Sequence, residues 1–513
     1  MKKRLICLMM CLCLAPLAAG CSRTLETSAV PAWTLPPAAS AYDPPVGDAG
    51  LNHTRTVALY LPSGDRQRLV TEYAALSLNY GRHDAESVVR ALLAQPGENG
   101  LSALTGGASL SLYGTSPVEV CGSVCTVNLS ASALQLSRQD FHSVCMALTA
   151  TMCQLDGVQY VNVLVADQAV GMDITGILPL GSQTARPGEE LPVLWEQLEA
   201  RRTPLGENPA DTPLSSVATL YFPLAGGAGI GTETRTLSFA GQSPDQQAGA
   251  LMDALSAGAQ YLAGACPMTD LAQLMSAAPR VTELDDGGRM VTLYFHVGLQ
   301  ESLKAAGVDM ACLMAAMTCT LTTFIPSVSS VRVYVGNTPV TSVYSAVHGN
   351  LIFQGGLMQR HQFSAFLMEQ AMLYFASGDR LSGVRRARPC QQARHPRALL
   401  LMLMQGPARQ ELDAGLEPVL PDGLGDADIL GLAIEGDTLL IHLSDRFAGL
   451  IRTQAAAWEQ QACYAMVNTL GEALGIQRVR FFFGGETPGE LGGTLYWGGE
   501  FMLNPSLIDK SRG

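Results

Sequence analysis

One order of landmarks recurs three times along this 513-residue chain, and a repeat that long constrains the fold more than any single motif. Each copy opens on a β-prone run carrying Leu-Tyr, at residues 57–61 (VALYL), 219–222 (TLYF) and 372–375 (MLYF). A second short strand follows, over residues 69–73 in the first copy and 234–239 in the second. Apolar residues then fall at three- and four-residue spacing, the pattern of a helix buried along one face. In the first copy this helix is expected over residues 85–94, with Val88, Val89, Leu92 and Leu93 on one side. Its counterparts are expected at 246–255 and 398–404. Gln95-Pro96, Gly258 and Gly406-Pro407 follow these faces as ordinary helix stops.

An alternating strand is next, at 124–129, 290–295 and 438–443, and Ser130 and Ser444 end two of these where a short polar side chain suits a cap. A long helix is expected at about 139–155, 308–324 and 455–474. It runs into Val158-x-x-Val161, Val328-x-x-Val331 and Ile476-x-x-Val479, each opening a strand. Apolar segments bracketed by glycine close the copies at 176–181, 349–355 and 493–498. The order β-β-α-β-β-α-β plus a short terminal element predicts an α+β fold of three tandem small α/β modules. Each would carry its helices on one face of a mixed sheet.

The divisions expected are a signal peptide at 1–20, a tether at 21–50, modules at 51–181, 215–355 and 366–510, and linkers at 182–214 and 356–365. Residues 191–200 read as a short helix inside the first linker. The shorter second linker predicts that the last two modules sit closer together than the first two.

The amino terminus reads as an export signal. Lys2, Lys3 and Arg4 precede an apolar run from Leu5 to Leu17, followed by Ala18-Ala19-Gly20-Cys21. The run is too short for a permanent span, and no later stretch of about 18 apolar residues appears. This box resembles the lipobox of bacterial lipoproteins. The resemblance implies cleavage before Cys21, acylation of Cys21 by chains such as palmitate, and a lipid-anchored protein on the outer face of the cytoplasmic membrane. The formal charge is −13, and losing three cations with the signal takes it to near −16. That balance argues against nucleic acid as a partner.

Nine cysteines remain beyond Cys21. Cys121 and Cys125 are the closest candidates for a bridge across a hairpin, but most of the nine lie among apolar residues, so buried thiols are expected. None of the eight histidines forms a metal-binding motif, although His142 lies one helical turn before Cys145. Gly226–Gly231 lacks the spacing and the lysine of a phosphate cradle and reads as a hairpin loop. Asp285-Asp286 and Asp426-x-Asp428 read as solvated turns, and Leu495-Tyr496-Trp497 as core. No catalytic residue, metal site or cofactor site is found, so the chain reads as a nonenzyme.

Taken in order, these landmarks resemble the GerMN domain of sporulation and germination proteins. The best pieces are Leu92-Leu93-Ala94-Gln95-Pro96, Asn128-Leu129-Ser130 and Gly157-Val158-Gln159-Tyr160-Val161 in the first copy. The third has Met404-Gln405-Gly406-Pro407, His442-Leu443-Ser444 and Thr469-Leu470. The second keeps Thr320-Leu321 but loses the Gly-Pro turn and the serine. The resemblance implies a membrane-anchored lipoprotein acting in sporulation, germination or envelope assembly through other envelope proteins. It carries no catalytic residues across. The alternative is a lipoprotein that binds peptidoglycan or another saccharide, which would show an aromatic-lined groove on one module.

Overall fold

The computed structural model describes residues 42–64, 68–80, 83–95, 110–174, 176–185, 212–268, 271–285, 287–491 and 495–509. After a short strand β1 (Gly47–Gly50), the first copy begins with an antiparallel hairpin of β2 (Asn52–Pro62) and β3 (Leu69–Asn79). Helix α1 (Ala85–Ala94) buries Val88, Val89 and Leu92, the face that the spacing predicts. Strands β4 (Val118–Cys121) and β5 (Val124–Leu129) pair antiparallel. Helix α2 (Arg138–Met152) then crosses to β6 (Tyr160–Val165), which runs parallel to β5, and β7 (Gln168–Ala169) closes the sheet. A parallel neighbour requires a long crossover, and the helix is that crossover.

The second and third copies repeat the pairing. In the second, β8 (Leu214–Pro223) and β9 (Ile230–Phe239) form the hairpin, and α3 (Pro244–Ser256) follows. The sheet order is β10 (Met275–Glu283), β11 (Arg289–Phe295), β12 (Val328–Val335) and β13 (Thr338–Pro339), with α4 (Met310–Phe324) as the crossover. A further hairpin, β14 (Ser342–Ser345) and β15 (Gly349–Ile352), is added to this copy. In the third, β16 (Met368–Ser377) and β17 (Arg380–Pro389) form the hairpin and α5 (Pro396–Gln405) follows. Its sheet holds β18 (Ile429–Glu435), β19 (Thr438–Leu443), β20 (Arg478–Phe483) and β21 (Phe501–Met502), crossed by α6 (Ala456–Leu474). The fold is α+β, and in each copy the strands divide between a separate hairpin and a mixed sheet, which has four strands in the first two copies and five in the third, where β1 adds an edge.

One hydrogen bond marks the repeat atom by atom. The Tyr60 N–H donates to Thr151 Oγ1 at 3.0 Å, Tyr221 to Thr320 at 3.0 Å and Tyr374 to Thr469 at 3.2 Å. The first strand of each hairpin pairs on one edge only, so its other edge carries backbone groups that need partners. The tyrosine of the Leu-Tyr landmark and a threonine of the long helix meet that need at the same place three times. The long helix packs on both the hairpin and the sheet, and in α4 this leaves no wet face: every residue from Ala311 to Phe324 is buried.

Three segments depart from the expected divisions. Residues 44–50, assigned to the tether, lie against the third module. There β1 runs parallel to β18, Asp48 pairs with Arg397 at 2.6 Å, and the Pro45 carbonyl bonds to His442 Nδ1 at 2.8 Å. Residues 182–185 of the first linker are packed too, with Ser182 Oγ bonding to Asn162 and Thr219 in a buried polar cluster between the first two copies. Those two copies share one apolar core, while the third has its own. The expectation that the last two modules lie closer together is therefore corrected: linker length limits reach, but matching apolar faces decide which modules fuse. The third departure, residues 356–365, forms the junction described next. Residues 1–41 and 186–211, with the signal, most of the tether and the short helix expected at 191–200, lie outside the described residues.

Candidate functional site at the junction of the three modules

The segment expected as the second linker is largely a buried plug. Residues Arg360–Phe366 form a 3-10 helix, with Phe363 and Phe366 in the core and Arg360 only 4% exposed. Phe363 and Phe366 stand three residues apart and so share one face of a three-residue turn. Phe363 packs edge-on to Phe366, and Phe366 stacks on the His348 ring at 3.9 Å.

Arg360 ties three parts of the chain together. Its guanidinium donates to Glu119 of β4 at 2.7 Å, to Thr323 of α4 at 2.7 Å and to the Tyr221 hydroxyl of β8 at 3.2 Å. It also lies over the Tyr221 ring, 5.4 Å from its centre. Burial pulls the guanidinium pKa down, but Tyr221 and Glu119 outweigh that and hold it well above its ordinary range. A charge so buried persists only when paired and hydrogen-bonded, and each of these bonds crosses from the plug to a different element.

The glycine loop of the second hairpin closes against the same plug. Gly226 has φ +82°, which favours glycine, and a Cβ on Gly229 would overlap the Phe366 carbonyl. The Ala228 carbonyl bonds to His348 Nε2 at 2.8 Å, and Ile230 pairs with Leu367. The loop joins β8 to β9 as expected, and its glycines also permit close backbone approach.

A cleft of about 960 Å³ opens beside the plug. The first copy contributes His83, Ser116 and Glu119, the connector His361 and Gln362, and the third copy Cys390 and Gln391. His361 lies 3.5 Å from Asp167. Burial, then Arg394 nearby, lowers the His83 pKa to about 4, and its Nε2 is buried without a hydrogen-bond partner. Among the described residues the lining offers hydroxyls, carboxamides and imidazoles, and no Trp, Tyr or Phe. Such a surface can hold a polar chain by hydrogen bonds but gives no aromatic platform for a sugar ring.

The residues singled out from sequence are dispersed. Cys21 lies outside the described residues. His142 is buried and bonds to the Met172 carbonyl at 2.8 Å, while burial pushes the Cys145 thiol up. Among the described residues no group of three or more His, Cys, Asp or Glu could hold a metal ion. The Cys121–Cys125 bridge is excluded by register: Cys121 faces Val124 and Cys125 faces Val120. Neighbouring positions on a strand point to opposite faces, so the two sulfurs diverge. The nine cysteines among the described residues are free and eight of them are buried. Asp426 pairs with Arg397 at 2.9 Å, and Asp428 is buried against Arg446 and Ser444 rather than solvated. Asp286 is outside the described residues. Trp497 is buried and bonds to the buried Glu459, whereas Tyr496 is 56% exposed. The plug went unrecognised in the sequence, although the Phe363–Phe366 spacing was a visible signal.

The Germane family, described as Sporulation and spore germination, matches residues 58–171 and 372–488. The chain carries GerMN domains over these two spans. The two matched spans cover the first and third copies, and the second copy is tied to them by its strand pairing and its Tyr221–Thr320 bond. Among solved structures, the tandem GerMN domains of the sporulation protein GerM from Bacillus subtilis are similar at 17% identity, covering 56% of this chain and 96% of that one, with a TM-score of 0.21. A putative lipoprotein from Clostridium perfringens is similar at 20% identity over 26% of this chain and 87% of its own, at TM-score 0.19. The first GerMN domain of the same GerM is similar at 19% identity over 27% and 98%, at TM-score 0.21. The family match carries the assignment, and these superpositions add nothing to it. No curated protein matches the chain.

Proposed function

We propose that this protein is a noncatalytic, lipid-anchored envelope protein. Its three GerMN-like modules, bounded near 51–181, 215–355 and 366–510, would bind other envelope proteins during sporulation or germination. The observation that carries the proposal is the pair of Germane matches at 58–171 and 372–488. The amino-terminal box ending at Cys21 supports the anchor and the outer face of the cytoplasmic membrane as its location. The mechanism is positional. Lipid fixes the chain at the membrane, and the buried junction makes the modules one rigid presenting surface rather than beads on flexible links. Rigid presentation spares a partner the entropy of ordering the modules on binding.

The test is the yield of heat-resistant, germination-competent spores from a strain lacking the chain. It is complemented with wild type or with Cys21→Ala. Loss of yield rescued only by the lipidatable form supports the proposal. Normal yield and germination in the deletion strain refute it, and binding of the purified chain to cell-wall sacculi would then favour the saccharide reading.

A further inference from the structure

The hairpin added to the second module turns an apolar face and an open edge to solvent. Strands β14 and β15 pair only with each other, in continuous register from Ser342↔Ile352 to Ser345↔Gly349. Alternation sends Val343 and Leu351 inward to the core. The outward positions, which a solvated hairpin would fill with polar side chains, include Tyr344 at 71% exposure and Ile352 at 68%. Val347, in the turn between the strands, is exposed as well.

The Phe353 N–H donates to the Thr341 carbonyl at 2.7 Å, which sets the phase of the ladder. Val343, Ser345, Gly349 and Leu351 therefore bond across the hairpin, whereas Asn350 and Ile352 of β15 point their N–H and C=O groups away from it. Strand β14 is the one that lies against α4, and β15 is the outer strand. Among the described residues Asn350 and Ile352 have no backbone partner on that edge. An open edge invites another strand, and proteins usually blunt it with charge, proline or a bulge. Strand β10 carries Pro279, Arg280, Glu283 and two register shifts, and β17 carries four arginines. Nothing of the kind guards β15: residues 333–359 contain no Lys, Arg, Asp or Glu.

We propose that β15 pairs antiparallel with β15 of a second copy of this chain, making one four-stranded sheet across a twofold axis. Charge selects that occupant. The chain carries a net −13, so two copies repel over most of their surfaces and meet most readily where neither brings charge. An antiparallel edge is also its own complement about a twofold axis. With the axis at Leu351, the outward groups of Asn350 meet those of Ile352 in the other copy. The two Ile352 side chains then become diagonal neighbours. Only a short edge is covered, so the dimer is a weak one. The inference rests on this hairpin and is independent of the anchor and of the spore role.

The test is sedimentation equilibrium of the purified full chain at rising concentration, with amide hydrogen exchange read across the same range. The expected result is a reversible monomer–dimer equilibrium, with exchange at Asn350 and Ile352 slowing as dimer forms. Ile352→Lys brings like charges together and should raise the dissociation constant about tenfold or more while keeping wild-type circular dichroism. The exchange measurement needs no variant. A wild type that stays monomeric up to its solubility limit overturns the proposal. Dimerisation that leaves exchange at these two amides unchanged, or that persists undiminished in Ile352→Lys, also overturns it by placing the interface elsewhere.

Discussion

Removing the Glu119 carboxylate should be the most damaging single change at the junction. In Glu119→Ala the Arg360 guanidinium, 4% exposed, keeps only the Thr323 and Tyr221 hydroxyls and the Tyr221 ring. Stranding one member of a buried ion pair costs about 3–5 kcal/mol. The retained cation–π contact offsets none of this, because wild type has it too, but the hydroxyls can tighten around the charge. The lower figure, about 3 kcal/mol, is therefore expected. Glu119→Leu with Arg360→Met removes both charges and fills similar volume, leaving two hydroxyls to find partners at about 1 kcal/mol each. The double variant should thus lie within about 2 kcal/mol of wild type and be more stable than the single one. The assay is urea denaturation followed by far-UV circular dichroism. Because two apolar cores are present, the first transition is compared rather than a global midpoint. A single variant losing less than about 1 kcal/mol, or a double variant weaker than the single, would refute a charge held by burial and pairing.

Other expectations follow the same structural logic. Thr469→Val leaves the Tyr374 N–H at a buried edge without its acceptor, and should destabilise the third module by about 1–3 kcal/mol in denaturant titrations; Thr151→Val and Thr320→Val should do the same to theirs. Gly229→Ala forces a Cβ into the Phe366 carbonyl and should cost more than Gly226→Ala, where the strain is only the positive φ and the space is open, as thermal unfolding of both variants will report. His83 has its folded pKa lowered from 6.5 to about 4, so the unfolded chain takes up a proton first as pH falls. Stability should therefore decline from about pH 6.5 towards pH 4, by at most about 3 kcal/mol, and His83→Gln should flatten that slope; a His83 NMR titration centred near 6.5 in the folded protein would contradict it.

What the sequence determined by itself is local. The strands at 124–129 and 438–443 and the helix at 85–94 stand at the predicted bounds, because alternation and helical spacing record which face of one element is buried. The repeated order also determined the α+β topology of each copy, since a parallel strand pair needs the long helix between its members. The Leu-Tyr and Thr landmarks marked positions whose bonding partner became visible only in three dimensions.

Tertiary structure alone decided how the copies join. Arg360 meets Glu119, Tyr221 and Thr323 from positions 241, 139 and 37 residues away, and no periodicity in the chain records such partners. The same holds for β1 on β18. A segment short and polar enough to read as a linker becomes a plug when distant surfaces close over its two phenylalanines. The free energy of that closure resides in faces the local sequence does not contain.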